Sequence, residues 1–341
     1  MQIPLGRGSR SEHVFARLAC PAGSRALQPP EPDDEDDAQI TLWVLQQLSY
    51  RRIEGVDPRW EEDPSFLRVR HDLERQMELE LREAVDLPQP DPEDVPAALT
   101  DLIAGAEGPS LSTWMLERGA LDHLREFVVH RAAYQLQEAD PHSFAIPRLE
   151  ASPCKTALLQ LQLDEYGGHE PTEAHALLFG KTMEALDLEP EVDLDRLPAV
   201  TLATNTLLNW LGRSRRLVGA CLGHLAVFEL TSVEPMARYA AAVRKLVSGE
   251  QGTAAARFYD VHVAADGLHG TIATDRLISG FVADHPDEAQ DVLFGAAALL
   301  HVERRFAEHL VARWAVDQTS LREPLPGSEL GQRLRRLAAV S

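Results

Sequence analysis

Apolar residues return at three- and four-residue spacing along almost the whole chain, a period that fits helix and excludes the two-residue alternation of strands. The pattern is clear in ITLWVLQQLSYRRI (residues 40–53) and FLRVRHDLERQMELELREAV (66–85). It recurs near 97–106, 116–139, 154–166, 172–186, 198–212, 214–247, 253–281 and 285–315. Helix-stopping residues fall between these runs: Asp140-Pro141, Gly167-Gly168, Asp187 to Pro190 and His285-Pro286. Alternating strand runs and fixed-period repeats are missing, which argues against sheets and solenoids. The expected fold is all-α. Residues 1–38 read as a flexible, acidic and proline-rich N-terminal segment and 39–96 as an N-terminal helical extension. A helical domain follows over 97–322, and 323–341 is expected to be a tail or helix.

Composition narrows the partners. The chain of 341 residues carries 33 Lys+Arg against 54 Asp+Glu, a formal charge of −21, so the basic footprint of a nucleic-acid binder is missing and anionic membranes should repel it. Cys20, Cys154 and Cys221 are too few and too scattered for a disulfide framework or a cysteine metal site. Apolar runs are too short to span a bilayer. The first residues, MQIPLGRGSRSEHVFARLAC, lack an uninterrupted apolar stretch, so a secretory signal is not expected and the cytoplasm is the expected compartment.

Several motifs can be set aside. Gly-x-Gly-x-x-Gly, Gly-x-Ser-x-Gly, His-Glu-x-x-His and Glu-x-x-His do not occur. Gly180-Lys181-Thr182 imitates the end of a phosphate-binding loop, but His175 stands where its first glycine belongs. The run Asp33 to Asp37 matches the aspartate-rich magnesium motif of terpene synthases. It follows Pro29, Pro30 and Pro32 without a second motif downstream, so residues 20–37 read as a solvated linker.

The most informative stretch is FYDVHVAADGLHG, residues 258–270. His262, Asp266 and His269 stand at i, i+4 and i+7, which places them within a stripe about 60° wide on one helix. Two imidazoles and a carboxylate so arranged suit iron or another first-row metal; a polar helix face that happens to hold histidines is the alternative. A second stretch, LQLQLDEYGGHEPTEAH (159–175), breaks at Gly167-Gly168 between Glu165 and His175. On one straight helix those residues would face apart, whereas the glycine break lets the chain re-aim both at one centre. By themselves they fit an ordinary capped junction as well. Glu229 follows GHLAVF, and Glu138 follows AAYQLQ; a buried glutamate in such apolar company needs a cation or loses its charge.

Taken together, YQLQEADPHSFAIPRL, CKTALLQLQLDEYGGHEPTEAH, LPAVTLATNTL, RSRRLVGACLGHLAVFELTS, FYDVHVAADGLHG and DVLFGAAALLHVE resemble the actinobacterial iron-containing redox enzyme group of the heme-oxygenase-like diiron oxidases and oxygenases. The likeness covers roughly residues 40–322 and is strongest from about 130 to 315. It implies a heme-oxygenase-like helical bundle, here with an N-terminal helical extension, whose core helices hold two iron ions rather than heme. The implied ligands are Glu138 from the first core helix, Glu165 and His175 from the second, and His262, Asp266 and His269 from the third. Glu229 is a ligand seen in only part of the family. Asp164 competes with Glu165 for its place, and spacing to His175 favours Glu165, with Asp164 orienting a ligand from behind. His130, His142 and His224 lie near these motifs without matching ligand positions. The segment EASPCK departs from the family where a glycine would precede Lys155.

The resemblance further implies an O2-dependent oxidase or oxygenase with O2 as co-substrate, a homodimer, and an external electron donor. The expected substrate is a small amine or amino-acid-derived molecule in specialised biosynthesis, with N-oxygenation ahead of desaturation or C–C cleavage of an amino acid or fatty acid. A non-catalytic iron-binding helical protein would use the same ligands. Arg213, Arg215 and Arg216 offer a carboxylate anchor, with Arg215 and Arg216 the candidates for substrate binding, although arginines on so acidic a protein commonly serve surface ion pairs.

Overall fold

Every regular element among the described residues is helical. The computed structural model describes residues 1–23 and 28–330, apart from the side chains of 265 and 266. In order, the helices are α1 (Ser9–Leu18), α2 (Glu35–Gln47), α3 (Pro64–Ala84), α4 (Val95–Ala104), α5 (Leu111–Arg118), α6 (Leu121–Gln135) and α7 (Asp140–Ser143). They continue as α8 (Pro153–Glu165), α9 (His175–Ala185), α10 (Ala199–Arg213), α11 (Val218–Thr231), α12 (Val233–Leu246) and α13 (Gly249–Ile272). A π-helical turn, Ala273–Ile278, leads from α13 into α14 (Ser279–Asp284), and α15 (Ala289–Trp314) closes the bundle. Among the described residues no single helix is long and apolar enough to cross a membrane. The last part of the expected C-terminal tail or helix, beyond residue 330, lies outside the described residues.

Local chemistry sets the helix starts. The Asp63 side chain accepts from the backbone of Ser65 and Phe66 at the head of α3, with Pro64 in the first turn. In the EASPCK segment, Ser152 caps α8 by accepting from Lys155 N, and Pro153 fills the first helical position. The segment expected to depart from the family is thus a capped helix start.

Two apolar clusters fill the interior. One gathers α2, α8, α10, α11 and α15 around residues such as Trp43, Leu161, Leu222 and Phe294. The other gathers α6, α9, α12 and α13 around Phe127, Phe179, Tyr239 and Phe258. Each such buried side chain contributes about 1.5–3 kcal/mol relative to exposure. α11 and α15 pack backbone against backbone. A Cβ added to Gly223 would lie 1.9 Å from Val292 O, and one added to Gly295 would lie 1.9 Å from Ala220 O. Only glycine permits the two backbones to approach so closely.

The acidic tract differs from the solvated linker expected for it. Asp33 and Asp34 are exposed, but Asp37 is fully buried. Its carboxylate accepts from Ser11 N at 2.8 Å, Arg10 N at 3.0 Å and Asp33 N at 3.0 Å, so it caps α1 from the first turn of α2. Burial pushes this carboxyl up, and the hydrogen bonds from Ser11, Asp33 and Arg10 together outweigh that, holding it below the usual aspartate range. Asp36 accepts from Ala199 N at 2.7 Å, at the head of α10. The tract thus ties the N-terminal helices to the bundle, and α1 itself buries Val14 and Leu18 completely.

Candidate metal centre

The centre forms along the seam between the two apolar clusters, where α8 and α11 from one meet α9 and α13 from the other. Its first carboxylate, Glu138, stands in the turn just past α6 rather than within that helix. Glu165 is the last residue of α8 and His175 the first of α9. Between them Gly167 has φ +92° and Gly168 φ +61°, and a Cβ on Gly167 would fall 2.5 Å from Glu170 O and 2.6 Å from Ala174 N. Glycine is required there, and the fold-back it permits brings His175 Nδ1 to 2.7 Å from Glu165 Oε2.

His262 and His269 share one stripe of α13, seven residues and therefore about 10 Å apart along the axis. Each consequently serves a different group. Glu138, Glu165, His175 and His262 bring one potential ligand atom apiece within 4.8 Å of one another, and Glu165, Glu229 and His269 do the same. Glu165 belongs to both groups. Its carboxyl is pushed up by burial, but the imidazoles of His175, His262 and His269 together hold it below the usual glutamate range.

Contacts behind these side chains orient them. His262 Nδ1 donates to Phe258 O at 2.8 Å, one turn back on α13, which leaves Nε2 directed at Glu138 Oε1 3.8 Å away. His269 Nε2 lies 3.0 Å from Asp164 Oδ2, and its Nδ1 lies 3.3 Å from Glu229 Oε2. Asp164 therefore stands behind a histidine, while its neighbour Glu165 enters both groups. With its amide nitrogen turned toward the carboxylate, Gln135 donates to both oxygens of Glu138, at 2.6 and 2.8 Å. Sequence reasoning missed Gln135; its position three residues before Glu138 was the available signal. The third acid expected on the stripe, Asp266, has a side chain that lies outside the described residues.

The neighbouring histidines have other partners. His130 is bound between Thr201 Oγ1 at 2.7 Å and Ser320 Oγ at 2.9 Å. His142 Nε2 and His224 Nδ1 are 3.2 Å apart in full burial. Burial pushes His142 down to about 4 and His224 well below the usual histidine range, so both rings are neutral, one donating to the other. Two of the three arginines expected to offer an anchor are engaged by N-terminal segments. Arg216 forms a forked pair with Glu78 of α3, one contact at 2.9 Å. It also stands thirteen residues before Glu229, about 20 Å along the direction of α11. Arg213 reaches Ser49 Oγ at 2.5 Å, and Arg215 is exposed. Arg213 and Arg216 thus join the N-terminal segments to α10 and to the turn before α11.

The donor set suits a metal of the iron type. Three carboxylates and three imidazoles, five of the six buried, mix hard and borderline ligands. A cation offsets the mutual repulsion and desolvation of three clustered carboxylates, which in its absence would favour protonation.

Comparison with known proteins agrees with that chemistry. Residues 125–304, more than half of the chain, match the family model described as iron-containing redox enzyme. A stretch of 139 residues is 29% identical to the nitrosourea synthase of Streptomyces achromogenes subsp. streptozoticus, covering 40% of this chain and 28% of that protein. The chain thus corresponds to little more than a quarter of that relative's length.

Proposed function

Since the chain belongs to the iron-containing redox enzyme family, we propose that it is a non-heme diiron oxidase or oxygenase, using O2 to oxidise a small amine or amino-acid-derived substrate. The observation that carries this reading is the place of Glu165 in both ligand groups, as expected of a carboxylate shared by two metal ions. One iron would be held by Glu138, His175 and His262 and the other by Glu229 and His269, with Glu165 common to both. Asp266 is proposed for the second site on sequence alone. When bound, the irons supply the electrons and the open coordination positions that O2 reduction needs.

The chain's own part is positional. Phe258 O and Asp164 fix the rings of His262 and His269, and Gln135 holds Glu138, so the ligands meet the metals without a rearrangement cost. Phe258, whose ring lies 4.4 Å from that of His262, helps to exclude water from the first group. Oxidation at nitrogen is favoured over desaturation or C–C cleavage by the likeness to a nitrosourea synthase, since a nitrosourea is itself a nitrogen-oxidised product. A homodimer, an external electron donor and a cytoplasmic setting complete the proposal.

The test is anaerobic Fe(II) loading, then O2 exposure with a panel of amines and amino acids read by mass spectrometry. Two irons per chain and a product that has gained oxygen at nitrogen are expected. Protein that takes up no iron, or takes it up and oxidises nothing in the panel, would overturn the reading.

A further inference from the structure

Positive charge on this acidic chain gathers on one face. Residues 49–52, 144–149 and 212–216 hold six arginines and no carboxylate, although acids outnumber bases along the whole sequence. The structure brings the three segments together. Arg148 donates to Gly212 O at 2.5 Å and to Arg213 O at 2.6 Å, and Arg213 donates to Ser49 Oγ at 2.5 Å. Burial holds the Arg148 guanidinium below the usual arginine range, and the like charges of Arg215 and Arg213 add to that. Arg216 is taken up by Glu78, but among the described residues Arg51, Arg52, Arg148, Arg213 and Arg215 form no ion pair. Glu54 and Glu150 stand just beyond two of the segments, which leaves the arginines in excess. Within this rim Phe144 is 37% exposed, its ring edge-on to that of Tyr50 at 5.1 Å. An aromatic anchor inside a charged rim is the usual anatomy of a protein interface.

Bonded paths lead inward from the face. Arg51 donates to the carbonyl of Leu136, two residues before Glu138, and Phe144 follows Glu138 by six. Between these, His142 of α7 meets His224 at 3.2 Å, and His224 stands five residues before Glu229 on α11. Tyr166, next to Glu165, donates to Asp140 of α7 at 2.9 Å. All three carboxylates of the candidate centre are thus joined to the inner side of the face by covalent and hydrogen bonds. A substrate must reach the metals themselves, whereas an electron tunnels through packed and bonded protein.

We propose that this face docks a small acidic protein that carries electrons one at a time to the metal centre. A formal charge of −21 repels such a carrier from most of the surface, so the arginine rim selects where it lands and how it is turned. Two reduced carriers each give up one electron, two ferric ions become ferrous, and no bond is made or broken in the carrier. The proposal rests on the diiron reading, which calls for an external electron donor, but docking itself does not require iron.

The test titrates the full chain by calorimetry with a plant-type [2Fe–2S] ferredoxin, an acidic one-electron carrier, before and after chelator treatment, with iron content measured separately. Saturable binding is expected, retained without iron. Raising salt from about 0.01 M to about 0.15 M cuts the reach of surface charges from about 30 Å to about 8 Å, and affinity should fall about tenfold or more. Joint Arg52→Glu and Arg215→Glu exchange should weaken binding about tenfold at low salt with the melting temperature unchanged. Arg238→Glu on α12 should leave binding as it is. In anaerobic stopped-flow mixing, reduced ferredoxin should reduce the ferric chain, more slowly in the double variant. No saturable binding, affinity insensitive to salt, an equal loss in Arg238→Glu, or displacement of ferredoxin by an equimolar DNA oligomer would each overturn the assignment. Ferredoxin bound by a chain that takes up no iron supports the docking face while refuting the diiron reading. Iron held by a chain that ignores ferredoxin does the reverse.

Discussion

Asp164 and His269 meet at 3.0 Å across the seam between α8 and α13, on the side of the imidazole opposite Glu229. The contact assigns the Nε2 proton to the Asp164 bond and leaves Nδ1 as the lone-pair atom facing the centre. Asp164→Ala should accordingly weaken iron binding by about 10- to 100-fold without removing a ligand. Glu165→Ala should cost occupancy at both sites. Metal titration of the two variants separates them, and equal losses would mean that Asp164 is itself a ligand.

His262→Ala and His269→Ala should each lower iron content and abolish O2-dependent turnover, with circular dichroism showing helix content largely retained. In the parent chain, anaerobic Fe(II) at a hundredfold excess over its Kd should stabilise the native state by about 2.7 kcal/mol for each site filled. Thermal melts with and without Fe(II) measure this, and the gain should shrink in both variants.

Gly167→Ala combines a positive φ with a Cβ driven against two backbone atoms. A loss of about 1–3 kcal/mol is expected from backbone strain alone. The chain between Glu165 and His175 would have to unfold outward, so iron content should fall along with the melting temperature. Gly168→Ala, where an added Cβ meets nothing within 4 Å, should suffer the strain and keep its metal.

Asp37→Ala should destabilise the N-terminal helices by about 1–3 kcal/mol, because buried backbone donors lose their acceptor. Exposed Asp34→Asn should be far milder. The pH dependence follows from the direction of the shift. The Asp37 carboxyl is held below its ordinary value, so its contribution is complete above the ordinary aspartate range. It is lost as pH falls through the lower folded value. Acid unfolding of the parent should lose stability over that window, and Asp37→Asn should flatten the loss.

The fold class was legible because helical period and glycine punctuation are local signals. Gathering Glu138, Glu165, His175, Glu229, His262 and His269 into one set came instead from the family resemblance, since residues on separate helices meet only through tertiary packing. The stripe on α13 could be drawn from residue numbers alone. What Asp37 does could not, since its partners Ser11 and Arg10 lie more than twenty residues away and proline-rich acidic sequence ordinarily marks a linker. Arg216 was ambiguous for the same reason: only the placement of α3 shows that Glu78 takes up its guanidinium.

The π-helical turn Ala273–Ile278 just beyond His269 holds one residue more than an α-helix would. A π turn closes over five residues where an α turn closes over four, with nearly the same total rotation. Deleting a single residue there would let the ladder close in ordinary α register while Ile278 and Phe281, both buried, kept their direction. The segment therefore behaves as an insertion that the protein has absorbed locally, taking up the extra residue beyond His269 without turning the buried side chains that follow it.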